Sequence, residues 1–425
     1  MKDIAEKSLF DIPGSWKTLL WILVILGIGM FIAGLMTGGE ESVVRTWQAF
    51  LINTVFWGGI AHAGVIFAVI WQITDAKWGR AFKRLAEACA GFLPISFLMF
   101  MVVFFGSHVL YEWTHTPFLH HGEAVKQGWL NLPFFISRNV CWLLLMYGIS
   151  YWFVKTSIKP DIALARRLIG SDWGGKFADW VLEDYGEHET EVIRLEKLSR
   201  KIAPVLAFVY SIGGSFLAWD FVMTLDQTWF STLFGVFVMI GNMHAFLGLM
   251  LVVAVTVRQK FGIEEYISIN RLHDLAKMTF AFSLLWTYMG YSQYIVIWYA
   301  DLPEETPYLI IRSMNAPWNT LFLVIILWVF VSVFIGLLPR TLCRMPNYIR
   351  LMGIWVMLGQ LLSVYIMVVP SLQHDGHYHI FMGMHELLIT LGFVGAFFLC
   401  YLAFLGKLPI LPISDKHLCR TWHGH

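Results

Sequence analysis

Residues 211–235 read SIGGSFLAWDFVMTLDQTWFSTLFG, an apolar stretch that carries two carboxylates. Asp220 lies inside what reads as a membrane helix and Asp226 at its end, after which the chain turns and re-enters an apolar run at Thr232. A charge on a membrane helix costs about 2.5–3.5 kcal/mol on insertion scales, so a residue of this kind marks a functional site or a structural anchor. For Asp220 the structural alternative is a cap on the turn or a tie to a neighbouring helix.

Other ionisable and polar groups fall at three depths. At 1.5 Å per residue, Asp220 sits roughly 8 Å below the outer end of its helix. His108, Arg138, Asn139, His385 and Glu386 lie near that depth. His62, His244 and Asn242 fall near the middle, and Glu87, His273, Asp274 and Lys277 near the opposite face. Ionisable groups strung from face to face are what a proton relay requires, each within hydrogen-bond reach of the next, directly or through water. Each also has a plain structural role available. His62 and His244 can be interhelical hydrogen-bond partners, Arg138 can pair with Asp220 or reach headgroups, and Asp274 with Lys277 forms an i,i+3 pair.

The elements that position these groups follow from composition. Of 425 residues, 58% are hydrophobic and only 14% charged, against about 25% charged in an average globular chain. This is the composition of an all-α integral membrane protein. Ten apolar spans are expected near 18–37, 47–73, 84–110, 132–154, 203–225, 231–257, 273–299, 317–338, 349–370 and 379–405. The net charge of +1 gives no argument for nucleic acid. Cys89, Cys141, Cys343, Cys400 and Cys419 form no C-x-x-C pair and no C-x-x-C-H, so the ligand patterns of an iron–sulfur cluster and of a c-type haem are missing from the sequence. A b-type haem would need two histidines at matching depth, and the middle of the membrane offers only His62 and His244.

A short repeat runs through the spans. Ala61-His62-Ala63 precedes Arg84-Leu85-Ala86-Glu87, and Met243-His244-Ala245 precedes Arg271-Leu272-His273-Asp274. The copies are four spans apart and so share one orientation, as in parallel-repeat membrane folds. The expected architecture is two four-helix bundles, spans 2–5 and 6–9, with spans 1 and 10 at the periphery, all within one transmembrane domain covering 1–425. Lys and Arg concentrate in 74–84, 155–202, 258–272, 339–350 and both termini, whereas the opposite loops hold only Arg45, Lys126 and Arg312. The positive-inside rule then puts both termini and the 155–202 loop in the cytoplasm. That loop reads as a solvated cap whose ALARRLIGSDW and EVIRLEKLSRK pieces look like surface helices of mixed charge. The outer segments 115–121, 300–308 and 374–379 are rich in His, acid and Pro and read as a docking surface for an extracytoplasmic partner. His374, Asp375, His377 and His379 lack zinc-type spacing, so no metal is assigned to them.

The stretch SFLAWDFVMTLDQTWFSTLFG (215–235) resembles a signature of the NrfD/polysulfide-reductase (PsrC-like) membrane subunits of alternative complex III. HDLAKMTFAFSLLWTYMGYSQYIVIWYADLPEETPY (273–308) resembles the ActF type of these subunits, with SQYIVIWYADLPEET its most distinctive run. The resemblance implies a ten-span, two-bundle plan over the whole chain and a place in a bacterial inner-membrane complex. That complex oxidises menaquinol or ubiquinol and passes electrons to a cytochrome c or similar carrier. Its Fe–S clusters and c-type haems would sit in partner subunits, and an ActC-like subunit would bind the quinol. The chain itself would hold no redox cofactor and would contribute a proton path and structural support. Asp220 is the site residue carried by the shared motif. His62, Glu87, His108, Arg138, His244 and Asp274 join it as proton-path candidates on depth and repeat alone. Two other readings stay open: an ion-coupled secondary transporter, for which Pro94, Pro204 and Gly213-Gly214 supply candidate helix breaks, and a purely structural membrane scaffold.

The orientation is directly testable. A single cysteine placed in the 155–202 loop is expected to resist membrane-impermeant thiol reagents in intact cells and to react after lysis. Labelling from outside would reverse the assignment.

Overall fold

The computed structural model describes residues 10–36, 39–116, 126–373 and 379–415, with residue 6 and a short antiparallel pair, β1 (Leu119–His120) and β2 (Glu123–Ala124). The rest of the described secondary structure is helical. The long helices are α1 (Gly14–Met36), α2 (Glu40–Ile73), α3 (Lys77–Phe105), α4 (Leu132–Ile169), α6 (His188–Phe221), α7 (Phe234–Phe261), α8 (Ile269–Ala300), α10 (Trp318–Leu337), α11 (Pro346–Val368) and α12 (Met384–Leu405). Two short helices, α5 (Gly175–Leu182) and α9 (Thr306–Ser313), sit in the connections.

Nine helices among the described residues are long and apolar enough to cross a membrane. The expected seventh span, α8, has the length, 32 residues, but falls outside that group. Its outer half carries Thr287, Tyr288, Tyr291, Ser292, Gln293 and Tyr294, and these polar and amphipathic side chains lower its hydropathy.

Local chemistry sets the helix ends. The Asn131 side chain caps α4 by accepting from Phe134 N (3.0 Å), and Pro133 occupies the first turn, where no intrahelical N–H is needed. Ser268 caps α8, and Pro346 opens α11. Gly262, at φ +61°, ends α7 in the left-handed conformation that glycine adopts without steric cost.

The 155–202 segment is helical, as its ALARRLIGSDW and EVIRLEKLSRK pieces suggest, but more buried than a solvated cap. α4 runs on to Ile169 and α6 begins at His188, leaving α5 and two turns between them. The 38 residues of α4 span about 57 Å, well beyond a hydrocarbon core of about 30 Å. Ile158, Asp161, Ile162 and Ala165 on the extension are buried.

α2 and α7 form the centre, and nearly all their side chains from Thr46 to Val69 and from His244 to Val255 are buried. α2 packs on α3, α6, α7 and α12, while α7 packs on α6, α8 and α11. α4 lies along α6, and α1 lies along α12. Ile25, Phe105, Leu144, Phe208, Val296 and Leu351 project outward from the peripheral helices and are exposed. A water-soluble chain rarely presents so much large apolar surface on every side, and lipid is the solvent that suits it.

Two helix pairs approach through glycine, as membrane helices do when small residues let backbones meet. A Cβ on Gly27 would lie 2.5 Å from Gly392 Cα, joining α1 to α12, and one on Gly353 would lie 2.5 Å from Gly248 O, joining α11 to α7. Neither backbone atom can move aside as a flexible side chain would. Gly353→Val is therefore expected to force α7 and α11 apart and cost about 1–3 kcal/mol, the range for overpacking. The check is the unfolding temperature in detergent, with Gly29→Ala as a neutral control because a Cβ there meets nothing within 4 Å.

Candidate functional site

Asp220 is fully buried in the last turn of α6 and is held by four donors. Arg138 on α4 binds it two-pronged, Nε to Oδ2 and Nη2 to Oδ1, both at 2.7 Å. Asn139 Nδ2 donates to Oδ2 (2.8 Å) and Trp129 Nε1 to Oδ1 (3.2 Å). Adjacent residues 138 and 139 both reach the carboxylate because α4 lies along α6, and Trp129 closes over it from the turn before α4. The guanidinium is itself enclosed, with its carbon 3.9 Å from the Trp129 ring centre and 4.6 Å from that of Phe134. A carboxylate with two parallel charged bonds and two neutral ones is a strong and geometrically specific tie. Asp226, by contrast, caps its own turn, accepting from Thr228 N (3.1 Å), Thr228 Oγ1 (2.7 Å) and Trp229 N (3.2 Å).

The two mid-membrane histidines lie on the two central helices. A Cβ on Gly59 of α2 would lie 2.3 Å from Asn242 Cγ of α7, so the helices cross beside both rings. His62 Nε2 bonds Ser150 Oγ on α4 (3.1 Å), and its ring meets the edges of Tyr147 and Tyr210. A cavity of about 50 Å³ adjoins His62, Tyr147, Tyr210 and Asn242, which is room for water. His244 Nδ1 accepts from Gln360 Nε2 on α11 (2.8 Å). That bond leaves the ring hydrogen on Nε2, which has no partner among the described residues.

Near the opposite face, Arg84 is shared between two buried carboxylates. It pairs with Glu87 one turn on, and its Nε and Nη2 each lie 2.7 Å from Asp161 Oδ2 on the extension of α4. Ser157 O and Oγ accept from the same guanidinium at 2.8 and 3.0 Å. The other oxygen of Asp161 accepts from Ser414 N (2.8 Å), tying in the segment after α12. Glu87 Oε1 has no partner among the described residues. Arg84, Ser157 and Ser199 line a polar cavity of about 170 Å³ that also reaches Lys83, Glu196 and Asp415.

The remaining candidates lie elsewhere. His108 is exposed, its ring beside that of His115, whose Nε2 donates to His108 O (2.6 Å). Asp274 is partly exposed and pairs with Lys277 (3.0 Å), the i,i+3 arrangement. Glu386 binds Arg45 (2.7 Å) and His385 binds Thr46 (2.8 Å), which fastens α12 to the start of α2. His374 and His377 lie outside the described residues, and no group of three or more metal-ligating side chains occurs among those described.

The structure thus brings Arg138 and Asn139 onto Asp220, and no hydrogen bond among the described residues links that cluster to His62 or His244. Asp161, Ser157, Ser150 and Gln360 were missed from the sequence. Asp161 follows Pro160 in a Lys-rich stretch that reads as solvated, so its burial had no sequence signal. Ser150 and Gln360 sit in apolar runs as single polar residues, and that was the available signal.

These features define a helical, multi-pass membrane protein with paired buried charges at two depths. The chain matches no model of a known protein family, and comparison with curated proteins gives no match.

Breaking a buried pair by removing one partner leaves an uncompensated charge, at about 3–5 kcal/mol. Arg138→Gln and Asp220→Asn are each expected to lower the unfolding temperature of the chain in detergent. The double variant is expected to recover much of that loss, because it leaves no lone charge. Additive losses would mean that the two residues do not act as a pair.

Proposed function

We propose that this chain is a membrane subunit of a quinol-oxidising respiratory complex of the alternative complex III kind, resembling ActF, in a bacterial inner membrane with both termini cytoplasmic. The resemblance of 215–235 and 273–308 supports that identity, with a ten-span plan of two four-helix bundles and two peripheral helices. Its partners would be an iron–sulfur protein, an ActC-like quinol-binding subunit and c-type cytochromes, which would hold the redox centres. The exposed run Asp301–Glu304 belongs to the outer docking surface in this reading.

The role we assign is proton coupling, and one observation carries it. Glu87 Oε1 is buried and unpartnered among the described residues, on a carboxylate bound to Arg84, which lines a polar cavity. A carboxyl oxygen in that position can take a proton without breaking an existing bond. His244 Nε2–H offers an unpartnered donor among the described residues at mid-depth, and the cavity beside His62 offers room for water between. Proton transfer along this line needs water or side-chain motion to close each gap. Asp220 fits the line less well, because all its donors must be displaced before it can exchange. That saturation favours a second reading, a scaffold in which Asp220–Arg138 locks α4 to α6.

The identity is tested by purifying the tagged chain from its native membranes and assaying haem and iron, both of which should accompany it. A chain that purifies without either would be better read as a transporter. The role is tested in vesicles containing the complex, by measuring quinol oxidation and proton release together. Glu87→Gln is expected to cut proton release about tenfold or more while assembly and haem content stay intact, within the range for loss of a proton-transfer group. Wild-type values for both rates would leave the scaffold.

A further inference from the structure

A cavity of about 770 Å³ lies between α8, α9, α10 and α11 at the outer end, lined by none of the proton-path candidates. Its shape follows from how α10 is built. The outer half of α10, Trp318–Ile326, packs on α9 and α11, whereas α8 joins α10 along the inner half, Val333–Leu337. A turn of π-helix, Leu327–Ser332, separates the halves, and such turns often mark functional sites. The two helices diverge outward from that turn. Tyr291 on α8 and Leu323 on α10 are exposed and line the cavity, so its mouth faces sideways, toward lipid.

The walls are flat, apolar and rich in donors. Trp229 stacks on Tyr308 with ring centres 3.7 Å apart and planes within 7°, and the guanidinium carbon of Arg312 lies 3.4 Å from the centre of the Tyr308 ring. Arg312 is 4% exposed and none of its hydrogen bonds among the described residues goes to a carboxylate, although Asp226 lies near enough for its charge to act on it. It is held by carbonyls instead, donating to Ile366 O (3.0 Å), Tyr308 O (2.9 Å) and Met367 O (3.1 Å), and to Ser371 Oγ (2.6 Å). Those four bonds leave one of its five N–H groups uncommitted. Trp229 and Trp286 also line the cavity, both more than nine-tenths buried, and their indole N–H groups have no partner among the described residues. No acidic side chain lines the cavity.

We infer that this cavity binds an apolar-tailed membrane molecule whose head offers only acceptor oxygens, a quinone ring or a fatty carboxylate. The volume falls within the roughly 300–1,000 Å³ of small-molecule sites. A head without donors meets indole N–H groups that have no partner among the described residues, and a buried cation hydrogen-bonded only to neutral oxygens favours oxygen that is negative or strongly polarised. The aromatic walls suit a planar ring, and the lateral mouth lets the tail remain in lipid. The inference stands without the respiratory reading, since it concerns this chain alone.

The test uses the full chain in lipid nanodiscs, with radiolabelled decylubiquinone and radiolabelled oleate as separate probes and empty nanodiscs as background. At least one probe should bind saturably, and the one that does identifies the head. Leu323→Trp narrows the mouth from an exposed position that bears on no polar contact, and it should weaken binding about tenfold or more, equivalent to about 1.4 kcal/mol. Arg312→Gln should weaken oleate more than decylubiquinone, because it removes the charge. If neither probe exceeds background, or if binding ignores both variants in protein that remains folded, the inference is overturned. Haem and iron accompanying the native chain bear on the respiratory reading and leave this result untouched.

Discussion

An apolar solvent does not tolerate an unpaired charge, and that constraint organises the interior of this protein. Outside water, each guanidinium must find carboxylates or carbonyls, and each carboxylate must find donors. Of the four buried arginines among the described residues, three show three ways of doing this. Arg138 takes one carboxylate with both prongs, Arg84 divides itself between two, and Arg312 takes buried backbone carbonyls at the end of α11. The first ties neighbouring helices into one unit, the second ties α3, α4 and the segment after α12, and the third ties a short helix to the end of a long one. Tertiary structure is therefore set by charge pairing at a few points, with glycine contacts fixing how closely the helices lie between them.

The same constraint separates anchors from groups able to exchange protons. An anchor has its bonding capacity filled, as Asp220 has. An exchanger keeps an atom in reserve beside space for water. Glu87 and His244 have such an atom, and His62 has the space. Depth in the membrane, which the sequence supplies, does not by itself say whether a group's bonding capacity is filled.

Much of the fold was legible in the amino-acid sequence, for a physical reason. Long apolar runs must be helices in lipid, so Asn131, Ser268, Gly262 and Pro346 could end them where local chemistry allowed. The pairing of Arg138 with Asp220 was legible too, because only a few charges share that depth. Side-chain partners elsewhere were not. The repeat around His62 and His244 places both on central helices, yet one bonds α4 and the other α11. The acids that follow them part further, since Glu87 is buried against Arg84 and Asp274 is partly exposed beside Lys277. A matching spacing fixes position along a helix, whereas the rotation of neighbouring helices decides which side chain answers.

Hydropathy treats Tyr, Thr, Ser and Gln in a span as a weakness, and by that measure α8 is the least membrane-like of the long helices. Those side chains lie where α8 stands away from the outer half of α10, and Thr287, Tyr291, Gln293 and Tyr294 line the resulting cavity. A helix packed on all sides by lipid or by neighbours would have to satisfy such groups internally, as Ser292 does by donating to Tyr288 O (2.8 Å). A helix beside an open cavity can leave some of them for whatever enters. The polarity that makes the span hard to recognise is thus the chemical content of the site it lines, and the π-helical turn in α10 provides the space that gives that polarity a use.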